Sequence, residues 1–270
     1  MPFFPWSRPH YKSIRAGARP YRFILMRPDR PATEDLNRIA DGSVDLTEAL
    51  SDRDFFHRFI SADRAEPRAE PVFILLHDSG GSEEDLLSIV EAGAEDGKAN
   101  VIALRGLFDY QPGFSFLGTT QEFARGEPCF IDRADRVSRF FNWAAKEYNL
   151  DPAKTVVVGA GDGATLAVTL LFVHSELLGG AILIRPKSPF RPKPLPALPC
   201  YPILLVNPKN ESRDERAASE ALAETLFDCG CSVRKVRVPA NAHFDEKVIK
   251  AIRAWYKKVS ATDISIECAL

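Results

Sequence analysis

The stretch Thr155–Leu171, TVVVGAGDGATLAVTLL, decides how the chain is read. The β-branched run Thr155–Val158 has the composition of a buried strand. Gly159-Ala160-Gly161-Asp162-Gly163 is a tight turn, and Ala164, Leu166, Ala167, Leu170 and Leu171 continue at helical spacing. Two chemistries use a strand, a tight turn and a helix in this order. In G-x-S-x-G a strained turn lifts a serine above the sheet. In G-x-G-x-x-G/A the turn lets a pyrophosphate approach a helix N-terminus. Gly159, Gly161 and Ala164 satisfy the second pattern. Gly159 and Gly163 satisfy the first, with Gly161 where the nucleophile belongs.

Upstream, Pro71–Leu76 (PVFILL) is a continuous apolar run, as expected of a strand buried on both faces. It ends in His77-Asp78-Ser79-Gly80-Gly81, and Ser82 is placed to cap a helix beginning near Glu83. Val101–Leu104 is the next strand. A long loop with Phe108, Tyr110, Phe114 and Phe116 follows, then a helix over Asp132–Tyr148. Downstream, strands are predicted at Gly180–Ile184, Ile203–Val206 and Val233–Val238, and helices at Asp214–Phe227 and Glu246–Val259. Arg185–Tyr201 is a proline-studded loop. This alternation predicts the α/β class, with a mostly parallel sheet and helices on both faces.

Before residue 71 the pattern breaks. Residues 1–19 read as an irregular arm and Tyr21–Met26 as a strand. Thr47–Ile60 reads as a helix with Leu50, Phe55, Phe56 and Phe59 inward, and with His57 as a surface or partly packed residue. The expected organisation is an N-terminal extension, residues 1–70, packed on a main domain of residues 71–270.

Composition narrows the partners. Lys plus Arg is 35 against 37 Asp plus Glu, a net charge of -2, which gives no footprint for nucleic acid or an anionic membrane. No apolar run approaches the length of a membrane span. The five cysteines, Cys129, Cys200, Cys229, Cys231 and Cys268, are odd in number and irregularly spaced, which argues against a disulfide framework and for a cytoplasmic setting. Cys229-Gly230-Cys231 reads as a helix end capped at Gly230 and not as a metal site. No metal or cofactor is expected, and a homo-oligomer is compatible with the sequence.

The dinucleotide reading requires the fingerprint near the start of a nucleotide-binding half and an acid about 20 residues on. Here three strands precede the turn, and the following strand ends at Arg185, a residue suited to a 2′-phosphate. NADP binding through Gly159, Gly161 and Ala164 is therefore a minor alternative. The serine-turn reading has more company. An H-x-x-G-G loop follows an upstream strand, and a late histidine, His243, precedes the last helix.

FILLHDSGGSEEDL (Phe73–Leu86), ANVIALRG (Ala99–Gly106) and FFNWAAKEYNLDPAKTVVVGAGDGATLA (Phe140–Ala167), in this order, resemble the phospholipase/carboxylesterase group of α/β-hydrolases, relatives of dienelactone hydrolase. The resemblance covers about residues 71–258 and implies the α/β-hydrolase fold. It places the nucleophile at Gly161, the acid at Asn210 and the base at His243. It assigns the oxyanion-hole N–H groups to Ser79 and Asp162. Where the group has H-G-x-G-G, this chain has His77-Asp78-Ser79-Gly80-Gly81.

The nucleophile position is thus glycine and the acid position an amide, which cannot stabilise an imidazolium as a carboxylate does. The reading is a pseudo-hydrolase whose old active-site cleft holds a small apolar or ester-like molecule or a partner. His77, Asp78, Phe108, Phe114 and Phe116 are its expected walls, although the aromatics also suit core packing. The alternative is an enzyme with changed chemistry, hydrolase or lyase, using His243 with Asp162 or Glu211.

Overall fold

The computed structural model of the chain describes residues 23–26, 55–62, 67–89, 99–118, 126–239 and 246–261. His243 and the N-terminal arm lie outside the described residues. The strands are β1 (Phe23–Met26), β2 (His57–Ile60), β3 (Val72–Leu76), β4 (Asn100–Leu104), β5 (Phe108–Tyr110), β6 (Gly113–Ser115), β7 (Thr155–Ala160), β8 (Gly180–Ile184), β9 (Pro202–Pro208) and β10 (Ser232–Val238). The helices are α1 (Glu127–Glu147), α2 (Asp162–Val173), α3 (Arg213–Asp228) and α4 (Glu246–Ala261).

Among the described residues, eight strands form one sheet in the order β1-β2-β4-β3-β7-β8-β9-β10. From β4 to β10 every pairing is parallel, whereas β2 runs antiparallel to both β1 and β4. The central strands are buried along their whole length because both faces are covered, and their side chains divide by the period of two. Val72, Ile74 and Leu76 join Phe130, Val137 and Phe141 of α1 and the apolar face of α2 in one core. Phe73 and Leu75 join Val248, Ile252 and Trp255 of α4 in the other.

The helix expected over Thr47–Ile60 does not extend to its C-terminal end, because residues 57–60 are strand β2. Phe55, His57 and Phe59 are buried at every second position. Phe55 and Phe59 face the α1 core, while Ile60 packs in the other core. Phenylalanines at 55, 56 and 59 also satisfy a helical stripe, so tertiary pairing decided between two periods. His57 is a buried residue and not a surface one. Its Nε2 is 2.8 Å from the Tyr148 hydroxyl and its Nδ1 3.0 Å from the Phe55 carbonyl. Strands β1 and β2 belong to the same sheet as residues 72–238, so residues on either side of position 70 share one sheet.

Local boundaries differ in smaller ways. The loop after β4 contains the hairpin β5–β6, and α1 starts at Glu127 with Pro128 in its first turn. Residues 83–86 are turn and helical geometry begins at residue 87, so Ser82 accepts from the Glu84 N–H in a turn and not at a helix cap. Cys229 and Cys231 are free and buried around Gly230, whose φ of +94° ends α3 as a left-handed glycine. Cys200 is disulfide-bonded, which departs from the expectation of reduced cysteines, while Cys129 is free.

Candidate functional site

The turn between β7 and α2 lies at the C-terminal end of a central strand, the position where α/β sheets place their ligand crevices. Gly161 is the helix N-cap with φ 51° and ψ -114°, a left-handed conformation that disfavours L side chains. Its flanking glycines serve close packing. A Cβ on Gly159 would lie 2.5 Å from the Ala164 Cα, and one on Gly163 would lie 2.1 Å from the Leu76 carbonyl oxygen. Strand β7, helix α2 and the end of β3 therefore meet backbone to backbone. The glycine spacing is that of a serine turn, with no side chain at its apex.

The space at the apex is occupied. A Cβ built on Gly161 would lie 2.0 Å from Asp78 Oδ1, 2.1 Å from Cγ and 2.2 Å from Oδ2. The Asp78 carboxylate thus sits where a nucleophile's side chain would stand. Its Oδ1 accepts from the backbone N–H of Ser79 at 2.9 Å and from that of Asp162 at 3.0 Å. Arg185 Nη2 lies 3.3 Å from Oδ2. Arg185 follows β8 with φ +53°, a rare conformation for a residue with a side chain, and its N–H bonds the Val206 carbonyl.

The loop carrying Asp78 is anchored from below. Gly106 N–H donates to His77 Nε2 at 2.9 Å. That leaves the proton on Nδ1, which donates to the Asp78 carbonyl at 2.7 Å. His77 is therefore a neutral imidazole, and burial holds its pKa below the ordinary value. Gly80 N–H and the Gly81 carbonyl bond Phe114 across the hairpin at 2.9 Å each. Behind the loop, Ser115 Oγ accepts from the N–H groups of Leu117 and Gly118, and Ser79 Oγ lies 2.9 Å from Ser115 Oγ and 2.6 Å from Asp162 Oδ2. Since the carboxylate takes the Ser79 hydroxyl proton, Ser115 donates to Ser79 and Ser79 to Asp162. Asp162 is thereby tied down in the first turn of α2 and is not at the apex.

A cleft of about 500 Å³ opens over Gly161. Asp78, Asp162, Arg185, Lys187, Asn207 and Glu211 supply much of its polar wall. Asn210, at the acid position implied by the resemblance, is exposed in the turn after β9 and does not line the cleft. Its neighbour Glu211 does, and its Oε2 is buried without a hydrogen-bond partner among the described residues.

The expected aromatic walls are elsewhere. Phe108 packs under Arg133, with 4.4 Å from the guanidinium carbon to the ring centre. Phe114 and Phe56 sandwich Arg105 at 4.5 and 4.0 Å. Phe116 is buried against His77 and Phe55. His77 likewise lies beneath the loop and outside the cleft lining. The reason is the hairpin β5–β6, which turns these side chains toward α1 and the loop's underside.

Sequence reasoning gave Arg185 only a nucleotide role and left Lys187 unassigned. The sequence places Asp78 in the loop after β3 and Gly161 in the turn after β7, and nothing local connects the two. The signal that could have joined them is volume, since the Asp78 carboxylate lies in the space a Cβ on Gly161 would occupy. The dinucleotide alternative meets the same obstacle, because the Asp162 N–H at this turn is already engaged by Asp78. Among the described residues no cluster of His, Cys, Asp or Glu has the makings of a metal site, and no helix is long and apolar enough to cross a membrane.

No model of a known protein family matches the chain. It is 28% identical over 190 residues to the "Putative hydrolase MhqD" of Bacillus subtilis, which covers 70% of this chain and 94% of that protein. Among solved structures it is similar to the Bacillus cereus carboxylesterase, with 26% identity, a TM-score of 0.63, and coverage of 84% of this chain and 100% of that one. A carboxylesterase from Mesorhizobium loti shares the fold at 22% identity and a TM-score of 0.65, covering 75% of this chain and 94% of its own. Strand order, the glycine turn at the end of β7 and these likenesses agree: the chain has a carboxylesterase-like α/β-hydrolase fold.

Proposed function

We propose that this protein is a pseudo-hydrolase: a carboxylesterase-like scaffold that binds a small molecule or partner over Gly161 without serine-hydrolase turnover. The observation that carries the reading is the apex of the turn, a glycine whose side-chain space holds the Asp78 carboxylate. A tetrahedral intermediate needs N–H donors aimed at its oxygen, and here the Ser79 and Asp162 N–H groups point at a fixed anion instead. Loss of one member of a catalytic triad removes most of its effect, because the members act as a unit. The polar lining of the cleft favours a charged or polar ligand over the apolar one suggested by the phenylalanines.

The test is a panel of short-chain aryl esters and thioesters, assayed with the purified chain and with His243→Ala. The expected result is no turnover above buffer for either. Turnover that disappears with His243→Ala overturns the reading. One observation favours a second reading, acid–base chemistry by unconventional groups: the unpartnered Glu211 Oε2 in the cleft wall. That reading predicts an activity lost in Glu211→Gln.

A further inference from the structure

Positions 78 and 161 share one volume. Gly161 has no side chain, and the Asp78 carboxylate enters the volume that a Cβ there would claim, 2.0 Å from its Oδ1. Once there, Oδ1 takes both backbone donors, Ser79 N–H at 2.9 Å and Asp162 N–H at 3.0 Å. Oδ2 faces the Arg185 guanidinium at 3.3 Å. An anion with two preorganised N–H donors on one oxygen and a cation on the other is a bound carboxylate in all but its tether. We propose that Asp78 is an internal stopper of the cleft's anion site, and that a small carboxylate-bearing molecule occupies this site only by displacing it. The proposal rests on the reading of the cleft as a binding site and adds what regulates access to it.

Three features make the arrangement a stopper and not a chance contact. The donors are held independently of Asp78's side chain: the backbone on either side of Ser79 is fixed by the Asp78 carbonyl bonded to His77 and by Gly80 and Gly81 bonded to Phe114, and Asp162 is fixed by the start of α2. Arg185 is directed over the turn from a backbone conformation that residues with side chains rarely adopt. The Asp78 side chain is 42% exposed, so it has solvent to swing into when displaced. A tethered group competes at an effective concentration in the millimolar range or above, so free carboxylates bind the unaltered protein weakly.

The experiment compares the full chain with Asp78→Ala and Asp78→Asn, using sodium acetate as the probe against equal sodium chloride. Acetate is expected to raise the Tm of Asp78→Ala saturably, by about 2–4 °C, while the unaltered chain and Asp78→Asn respond far less. Amide resonances of Ser79 and Asp162 are expected to move upfield in Asp78→Ala and to return on acetate addition. Absence of any specific acetate response in Asp78→Ala overturns the proposal, as does an equal response in the unaltered chain. If Asp78→Ala does not fold, the same two amides decide the matter. They must lie downfield in the unaltered chain relative to Asp78→Asn, and coincidence overturns the stopper. Neither readout depends on ester turnover, so a hydrolytic protein with an acetate-responsive variant refutes the pseudo-hydrolase and leaves the stopper standing.

Discussion

If Asp78 and Gly161 share one volume, substitutions at the two positions must be strongly non-additive. In Gly161→Ala a side chain is forced onto φ 51°, ψ -114°, which costs about 1–3 kcal/mol. The new Cβ also expels the carboxylate from 2.0 Å away, breaking its bonds to the Ser79 and Asp162 N–H groups. Because Asp78 is 42% exposed, water replaces part of each bond, so roughly 0.5–1.5 kcal/mol is lost per bond. Together these give about 2–6 kcal/mol for Gly161→Ala and about 1–3 kcal/mol for Asp78→Ala. In the double variant the carboxylate is already gone, so the bonds are lost once and the collision disappears. The double variant should therefore resemble Gly161→Ala alone, a coupling of about 1–3 kcal/mol. Urea unfolding of the four proteins of the cycle measures it. Additivity within about 0.5 kcal/mol would refute the shared-volume argument.

Two further outcomes follow from the supporting shell. His57 and His77 both have pKa values depressed below 6.5 by burial. The folded state thus favours their neutral forms, and their contribution is full above pH 6.5 and falls away as pH drops from there through the lowered folded values. Stability should decline as pH falls below about 6.5, and His57→Gln should flatten that decline while lowering stability at pH 7.5. At the loop's edge, Arg105 Nε and Nη2 hold Glu83 at 2.7 and 2.6 Å while stacked between Phe56 and Phe114. Burial pushes the Glu83 carboxyl up, but the Arg105 hydrogen bonds, a backbone N–H and the charges of Arg105 and Arg58 together outweigh it and the net shift is downward. Arg105→Ala leaves a carboxylate of 3% exposure unpaired and should cost about 3–5 kcal/mol in urea unfolding, with Arg105→Lys recovering only part.

Much of the architecture was legible in the sequence because parallel strands covered on both faces are continuous apolar runs. PVFILL and TVVVGA announce β3 and β7 without any partner in view. Strand β2 was misread for the complementary reason. HRFI lies near the sheet's edge, where arginine and histidine interrupt the run, and its identity depends on pairing with β4. The aromatic loop was misplaced because side-chain direction in a hairpin depends on its register against Gly81, a contact distant in sequence. Asn210 and Glu211 are adjacent residues, and only the direction of the turn after β9 put the second, not the first, into the cleft wall.

The sequence alone determined that a strand, a glycine turn and a helix meet here with no nucleophile at the apex, because glycine spacing and apolar periodicity are local properties. Only the tertiary structure decided what the glycine at 161 is for. Asp78 and Gly161 are separated by 83 positions, and nothing local states that one side chain fills the other's space. That relation exists only when β3 and β7 pair in register, Leu76 opposite Gly159, and bring the two turns that follow them together. A missing side chain is a fact of sequence. The carboxylate that occupies its place, and the N–H groups it holds, are consequences of packing.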